Sequence, residues 1–409
     1  MPSVDIPVSE EESPLLEELT STGEGAGLEA ERPDPKEGSI RTPFDPAEID
    51  VITQARTVDL LLTRLSEGEL YLSPDFQRRA NIWDEKRKTS LIESMLLRIP
   101  IPSLYVSENK TGDYTVVDGL QRLCAIAHFV KVDALNKELK KTFNPLRLHS
   151  DGLQSLKEYQ EKSFAELPRP LQRRINETEL TLHVIRPSTP PDVKFNIFSR
   201  INRGGLPLTA QEIRNALYPG VWREKVRSIA EGKRFRDATE NKIKGERMQD
   251  IELVLRFVAL YTVEGTQPGE KNRPGEQNLD DFLNDTVEKR CASWDEKRWG
   301  EIEAAFCRAL DAGLEIFKKF AFRKFSTAKG TRGPINRSLF ETEMVLLALR
   351  DSGELSKLAS RSEMVIRNLA ELLQKDDFAS ALVYATGRGA SSNKRLELLG
   401  GLIDRVLNA

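Results

Sequence analysis

Val116-Val117-Asp118-Gly119-Leu120-Gln121-Arg122-Leu123 is the stretch on which the fold turns. The run Tyr114–Asp118 reads as a strand, and from Gly119 the apolar spacing becomes helical through Leu123, Ile126, Ala127 and Val130. A strand therefore passes straight into a helix. Glycine at the joint permits close backbone approach, and the first N–H groups of the helix, with its dipole, favour an anion there. Arg122, one turn in, adds full positive charge, and Asp118 can hold a metal ion or a ribose hydroxyl. A plainer reading of the same residues is an Asp cap, a packing glycine and a surface arginine.

Working outward, Ser103–Ser107 and Tyr114–Asp118 are the strands of a hairpin around Asn109–Asp113, whose Gly112 suits a tight turn. Thr57 caps a helix with Val58, Leu61, Leu62 and Leu65 on one side and Gly68 at its end. A second helix runs from about Asp84 to Arg98 and stops before Pro100 and Pro102. Residues 131–160 are polar and read as an insertion. Leu167–Asn176 is helical, Thr178–Ile185 alternates as a strand, and Pro191 opens a helix with Val193, Ile197, Phe198 and Ile201 along one side. Another helix begins near Thr209. Beyond Tyr218 the strand signals fade, and Met248–Val263, Leu339–Leu349, 361–374 and 395–407 carry helical patterns; 264–278 reads as a mobile loop. The expected class is α+β: an α/β domain over 44–217 and an all-helical domain over 218–409.

Two further polar boxes lie at element boundaries, where α/β folds place their sites. One is Pro74-Asp75-Phe76-Gln77-Arg78-Arg79 ahead of Trp83-Asp84, whose paired guanidiniums suit phosphate oxygens. The other is Phe198-Ser199-Arg200-Ile201-Asn202-Arg203-Gly204-Gly205, leading to Leu208, Gln211, Glu212, Arg214 and Asn215. A helix C-cap accounts for the two glycines but not for the polar donors clustered around them.

The 409 residues carry a net charge of −3, and that small value hides a split. Residues 1–42 hold 11 acidic and 3 basic side chains, which leaves the remainder at +5. The acidic stretch is rich in Ser, Gly and Pro, and residues 1–43 read as a disordered tail that solubilises the chain or competes for a basic groove. No apolar run is long enough for a membrane span, and the N-terminus lacks the basic flank of a signal peptide. Cys124, Cys291 and Cys307 have no metal or disulfide spacing, so a soluble cytoplasmic protein is expected. The P-loop pattern and the Gly-x-Ser-x-Gly elbow are both missing.

With three boxes in order, the sequence resembles the ParB/sulfiredoxin-like domain at the N-terminus of GmrSD-type, modification-dependent restriction proteins. The resemblance rests on the PxFQR-x-x-x-W segment, the DGxQR box and the FxRIN-x-GG-x-x-L-x-x-QEIRNA stretch. It extends over roughly 50–350, with Arg247-Met248-Gln249-Asp250 and the helix after it echoing the family's helical region. It implies an Mg²⁺-dependent nucleoside triphosphate hydrolase that licenses DNA restriction. Gly119, Arg122 and Ala125 fit the phosphate-binding box of the wider ParB group, and Asn202, Leu208 and Glu212 fit its third box. This chain has Leu120 where Gln is usual and Ile201 where the metal-binding Glu precedes the Asn.

The catalytic candidates are therefore Asp118, Gln121 and Arg122. The nucleotide-binding candidates are Gln77, Arg78, Gly119, Arg122, Arg200, Asn202, Gly204 and Gly205, and the metal candidates are Asp118 and Asn202. The family's cutting half is an HNH-type domain, which needs histidines. The three histidines here are His128, His149 and His183, so a separate nuclease partner is expected. Two other readings stand beside this one: a nucleotide-gated DNA-binding protein tracking phosphates with Arg169, Arg173, Arg174 and Arg323, Lys324, Lys329, Arg332, and a metal-dependent nickase.

Overall fold

A computed structural model describes residues 17–19, 24–31, 48–72, 83–201, 209–218, 220–243, 245–264, 278–326, 330–383 and 389–409. The strands are β1 Glu17–Leu19, β2 Gly25–Glu29, β3 Val51–Thr57, β4 Leu70–Tyr71, β5 Leu104–Glu108, β6 Tyr114–Asp118, β7 Glu179–Ile185, β8 Arg323–Ser326 and β9 Thr331–Ile335. The chain divides into two compact units, residues 41–219 and residues 220–409 together with 1–40.

In the 41–219 unit the alternation of Leu180, Leu182 and Val184 on β7 buries one face of a five-stranded mixed sheet, ordered β3-β7-β5-β6-β4. β3 pairs antiparallel with β7 from Val51 opposite Ile185 to Thr57 opposite Glu179, β7 runs parallel to β5, and β5 and β6 form the hairpin. Its turn is closed by Asn109, whose Oδ1 accepts from the Thr111 and Asp113 N–H groups, and by Gly112 at φ 91°.

Seven helices complete the unit among the described residues: α1 Val58–Glu67, α2 Glu85–Leu96, α3 Leu120–Val130, α4 Val132–Leu139, α5 Arg169–Asn176, α6 Pro191–Ile201 and α7 Ala210–Leu217. α1 is capped by Thr57 and ends at Gly68, φ 79°, as its sequence indicates. The polar 131–160 stretch is a packed part of the core: Leu135, Leu139, Leu146, Leu148 and Leu153 are all buried. It is tied to α2 through Glu93. Burial pushes this carboxyl's pKa up, but N–H donation from Gln154, Leu156 and Ser155 outweighs that and holds it below the usual range.

The other unit contains α8 Trp222–Glu231, α9 Lys233–Ala238, α10 Gln249–Glu264, α11 Leu279–Asp285, α12 Glu296–Phe317, α13 Arg337–Ala348, α14 Ser352–Ser360, α15 Ser362–Leu372, α16 Asp376–Val383 and α17 Gly389–Asn408. α10, α12 and α13 pack around Phe257, Phe306 and Phe340. The α+β class stands, but the unit is not all-helical. It holds a four-stranded sheet, β1-β2-β9-β8. The expected loop 264–278 falls almost wholly outside the described residues.

That sheet also corrects the disordered tail over residues 17–19 and 24–31. β2 pairs in parallel with β9, and Ala26 and Leu28 are fully buried. The carboxylates of this segment meet buried or half-buried cations far along the chain. Arg256 donates to both oxygens of Glu31 at 2.8 and 2.9 Å, Lys324 to Glu29 at 2.7 Å and Arg337 to Glu18 at 2.5 Å. Burial works against the Arg256 charge, yet Glu31, Glu252 and Glu341 more than offset it and raise its pKa well above the ordinary value. Gly27, at φ 79°, lies so close to the Lys242 carbonyl that an added Cβ would sit 2.5 Å from it.

The second basic cluster is likewise engaged rather than open to phosphates. Arg323 is buried, Lys324 is held by Glu29, and Arg332 grips both oxygens of Glu240 at 2.6 and 2.9 Å; Lys329 lies outside the described residues. Glu343 is fully buried, accepting from Phe322 N at 2.8 Å through Oε2 while Oε1 has no partner. Burial pushes its pKa up to about 8.

Two outcomes follow. Leu28→Ala is expected to lower stability by about 2–5 kcal/mol in denaturant titration, whereas a tail residue would change it by less than about 0.5 kcal/mol. For Glu343, the folded pKa lies above the unfolded one. Folding therefore takes up a proton between the two, and stability falls as pH rises from the unfolded pKa, ordinarily near 4.5, through about 8. Glu343→Gln should remove that slope and stabilise the protein at pH 7–8 by on the order of 1–3 kcal/mol. An unchanged pH profile would contradict the buried carboxyl's role.

Candidate functional site

β6 delivers Asp118 to the start of α3, and Gly119 makes the joint. Gly119 is the N-cap of α3 at φ 92°, and the helix start carries no side-chain cap. A Cβ here would lie 2.1 Å from Leu104 Cδ2 and 3.4 Å from Arg122 Cζ, so both conformation and space call for glycine.

Arg122 is the organising group of this corner. Its Nη1 donates to the carbonyls of Pro102 (2.6 Å) and Ser103 (2.8 Å), and its Nη2 to Asp118 Oδ2 (2.8 Å). The guanidinium thereby clamps the entry to β5 against the end of β6. With the Arg122 side chain 15% exposed and Asp118 33% exposed, the ion pair faces a half-open surface. Its Nε–H is not used in these contacts. Gln121 is half-buried beside it on the first turn of α3.

α7 lies against β6 in the same unit. Thr209 and Glu212 close a capping box at its start, Thr209 N donating to Glu212 Oε2 at 2.7 Å and Glu212 N to Thr209 Oγ1 at 3.1 Å. Gln211, Glu212, Arg214 and Asn215 are all buried, an unusual load of polar groups for an eight-residue helix. The structure thus brings the second box and the end of the third to one strand. Gln77 and Arg78 of the first box, and Asn202, Gly204 and Gly205 of the third, lie outside the described residues, as does the side chain of Arg200.

His128 packs inside the unit. Its Nε2 lies 2.9 Å from the Asn144 carbonyl, which makes Nε2 the donor and leaves Nδ1 to accept from Lys88 Nζ at 3.4 Å. Burial lowers the pKa of both Lys88 and His128. Sequence reasoning did not find this buried pair, because Lys88 and His128 sit on different helices. His183 stacks on Tyr105 at 4.5 Å and its Nδ1 lies 3.0 Å from Thr53 Oγ1. No group of three or more His, Cys, Asp or Glu able to hold a metal ion occurs among the described residues. No helix among them is long and apolar enough to cross a membrane.

A five-stranded mixed sheet with a strand-to-helix corner at Gly119, and a helix of buried polar residues against the same strand, make this unit an α/β domain. Residues 59–219 match the model of the GmrSD restriction endonuclease N-terminal domain. The three polar boxes quoted from the sequence lie within that stretch, so this part of the chain is similar to that family. No curated protein and no solved structure matches the chain.

Removing the clamp should be felt in the fold as well as in any activity. Arg122→Ala leaves two carbonyls and the Asp118 carboxylate without their donor, and is expected to lower stability by about 1–3 kcal/mol. Gly119→Ala, which meets both a clash and a left-handed φ, should do so by a comparable or larger amount. Denaturant midpoints within about 0.5 kcal/mol of the parent for both variants would show that the corner is not under this constraint.

Proposed function

We propose that residues 59–219 form the nucleoside triphosphate-binding and hydrolysing module of a GmrSD-like DNA restriction or defence system. The observation that supports this most is the β6–Gly119–α3 corner. A helix N-terminus without a side-chain cap opens beside an arginine–aspartate pair, and a buried polar helix lies against the same strand.

In this reading the phosphates rest on the first-turn N–H groups of α3, where backbone donors and the helix dipole favour negative charge. Gly119 lets them come close. Arg122 serves first as the strut that fixes the corner and contributes positive charge from its remaining N–H groups. Gln121 faces the attacking water, and turnover depends on positioning and charge stabilisation rather than on a covalent intermediate. Gln77, Arg78, Arg200, Asn202, Gly204 and Gly205 complete the site from the two flanking boxes.

The described donor set does not fit a metal caged by protein side chains, since Asp118 already gives one oxygen to Arg122. It fits a magnesium ion that arrives with the triphosphate and takes Asp118 as a protein ligand, with Asn202 as the second candidate. When bound, such an ion neutralises phosphate charge.

DNA is the second proposed partner, approached through the exposed Arg169 and Arg173 of α5; Arg174 instead donates to the Leu96 carbonyl at 2.7 Å. A nuclease subunit is a further proposed partner, since residues 184–409 supply no histidine for an HNH-type site.

The test is nucleotide binding and phosphate release by the full chain, with and without DNA. Wild type should bind and hydrolyse at least one triphosphate. Asp118→Asn, isosteric and able to accept from Arg122, should reduce turnover by at least about tenfold, or roughly 1.4 kcal/mol of barrier, with an unshifted melting temperature. Binding without release would favour a nucleotide-gated DNA-binding protein, and no binding of any triphosphate would refute the assignment.

A further inference from the structure

The amine–imidazole contact between Lys88 and His128 has no part in the nucleotide reading. Lys88 lies on α2 and His128 in the last turn of α3, and they are only 5% and 7% exposed. The ring is held at both nitrogens. Nε2 lies 2.9 Å from the Asn144 carbonyl, which has no hydrogen to give, and Nδ1 lies 3.4 Å from Lys88 Nζ. One arrangement satisfies both contacts: a hydrogen on Nε2 and a lone pair on Nδ1. Phe143 packs on the ring with centroids 5.5 Å apart.

Protonating His128 puts a second N–H on Nδ1, aimed at an ammonium that has no lone pair to accept it. Donor then faces donor, and two positive charges meet where water is scarce. Little nearby charge relieves them. Burial lowers the His128 pKa most, the Asn144 contact opposes that, Lys88 lowers it further and Glu85 of α2 raises it. Burial also lowers the Lys88 pKa, against Cys124 of α3 and against Glu85 and Asp84 at the start of α2. On α4, Lys137 donates to the Ser66 carbonyl and Glu138 accepts from Leu72 N, both at 3.0 Å. Lys131, Asp133, Lys140 and Lys141 are exposed, and His149 Nδ1 accepts from Asp151 N at 3.3 Å.

α2 also holds the segment that follows. Thr89 Oγ1 accepts from His149 N at 2.9 Å, Ser90 Oγ donates to the Gly152 carbonyl at 3.0 Å, and Glu93 accepts from the N–H groups of 154–156. We propose that the Lys88–His128 contact is an acid-sensitive latch: charging His128 frees the ring and loosens α2, α3 and the 143–156 segment together. α3 begins at the Gly119 corner, so the latch acts on the helix that shapes it. The direction follows from linkage. With the folded pKa of His128 below its ordinary 6.5, the opened state binds more protons. The latch is intact above 6.5 and weakens as pH falls from there through the lower folded value, by at most about tenfold in the opening equilibrium per pH unit. Glu93 is held below the ordinary carboxylate range, so its own loss begins at lower pH.

The experiment is hydrogen–deuterium exchange of the full-length protein between about pH 7.5 and pH 5, corrected for the intrinsic pH dependence of amide exchange. Parent, His128→Gln and Lys88→Met are compared. The Gln amide donates to the Asn144 carbonyl and accepts from Lys88 without titrating. Protection of the parent in 85–96, 120–130 and 143–156 should fall by about three- to tenfold across that range. His128→Gln should show no such fall, and Lys88→Met, which removes the opposing charge, a smaller one. Ring NMR of the three histidines is the second readout, and the His128 signal should titrate below 6.5. A flat parent profile, an equal fall in folded His128→Gln, or a His128 ring titrating at or above 6.5 would each overturn the proposal. Should His128→Gln not fold, an undiminished fall in Lys88→Met would overturn it equally.

Discussion

The guanidinium of Arg122 holds the domain's working corner in shape. Three of its hydrogen bonds join backbone carbonyls at the entry of β5 to the carboxylate at the end of β6. The start of α3 is thereby placed against both strands. Gly119 is the complementary constraint, since the clamp closes only where no Cβ intrudes between Leu104 and Arg122. A charged group that fixes geometry can still contribute its field to a ligand, because its positive charge is only partly cancelled by one half-exposed carboxylate.

The other unit shows the same principle with the signs distributed differently. Arg256, Arg337 and Lys324 would be poor core residues alone, and burying them unpaired would be costly. β1, β2 and the residues just after β2 bring the carboxylates of Glu18, Glu29 and Glu31 to them, and Leu28 of β2 is fully buried. Charge that reads in sequence as solvated and self-repelling is, in the fold, half of an internal network.

These two cases also show where the sequence was legible and where it was not. The hairpin, the cap at Thr57, the helix start near Thr209 and the strand-to-helix passage at Gly119 were readable, because each depends on neighbours within a few residues. The packed role of 17–19 and 24–31 was not. Its complement lies more than 200 residues away, and composition alone assigns such a segment to solvent. The Arg122 clamp was hidden for a milder form of the same reason, since its acceptors are main-chain carbonyls 19 and 20 residues upstream and carbonyls have no sequence signature. The cluster at Gln211, Arg214 and Asn215 was visible as an excess of polar groups, but only burial shows that some of their donors go unanswered.

The most direct measurement is hydrogen–deuterium exchange of the full-length protein with and without a slowly hydrolysed nucleoside triphosphate and magnesium. The account expects protection to appear in the amides of 118–123 and 209–217, since the ligand would sit against the α3 N-terminus and α7. Protection confined to other parts of the chain, or none at saturating nucleotide, would contradict it.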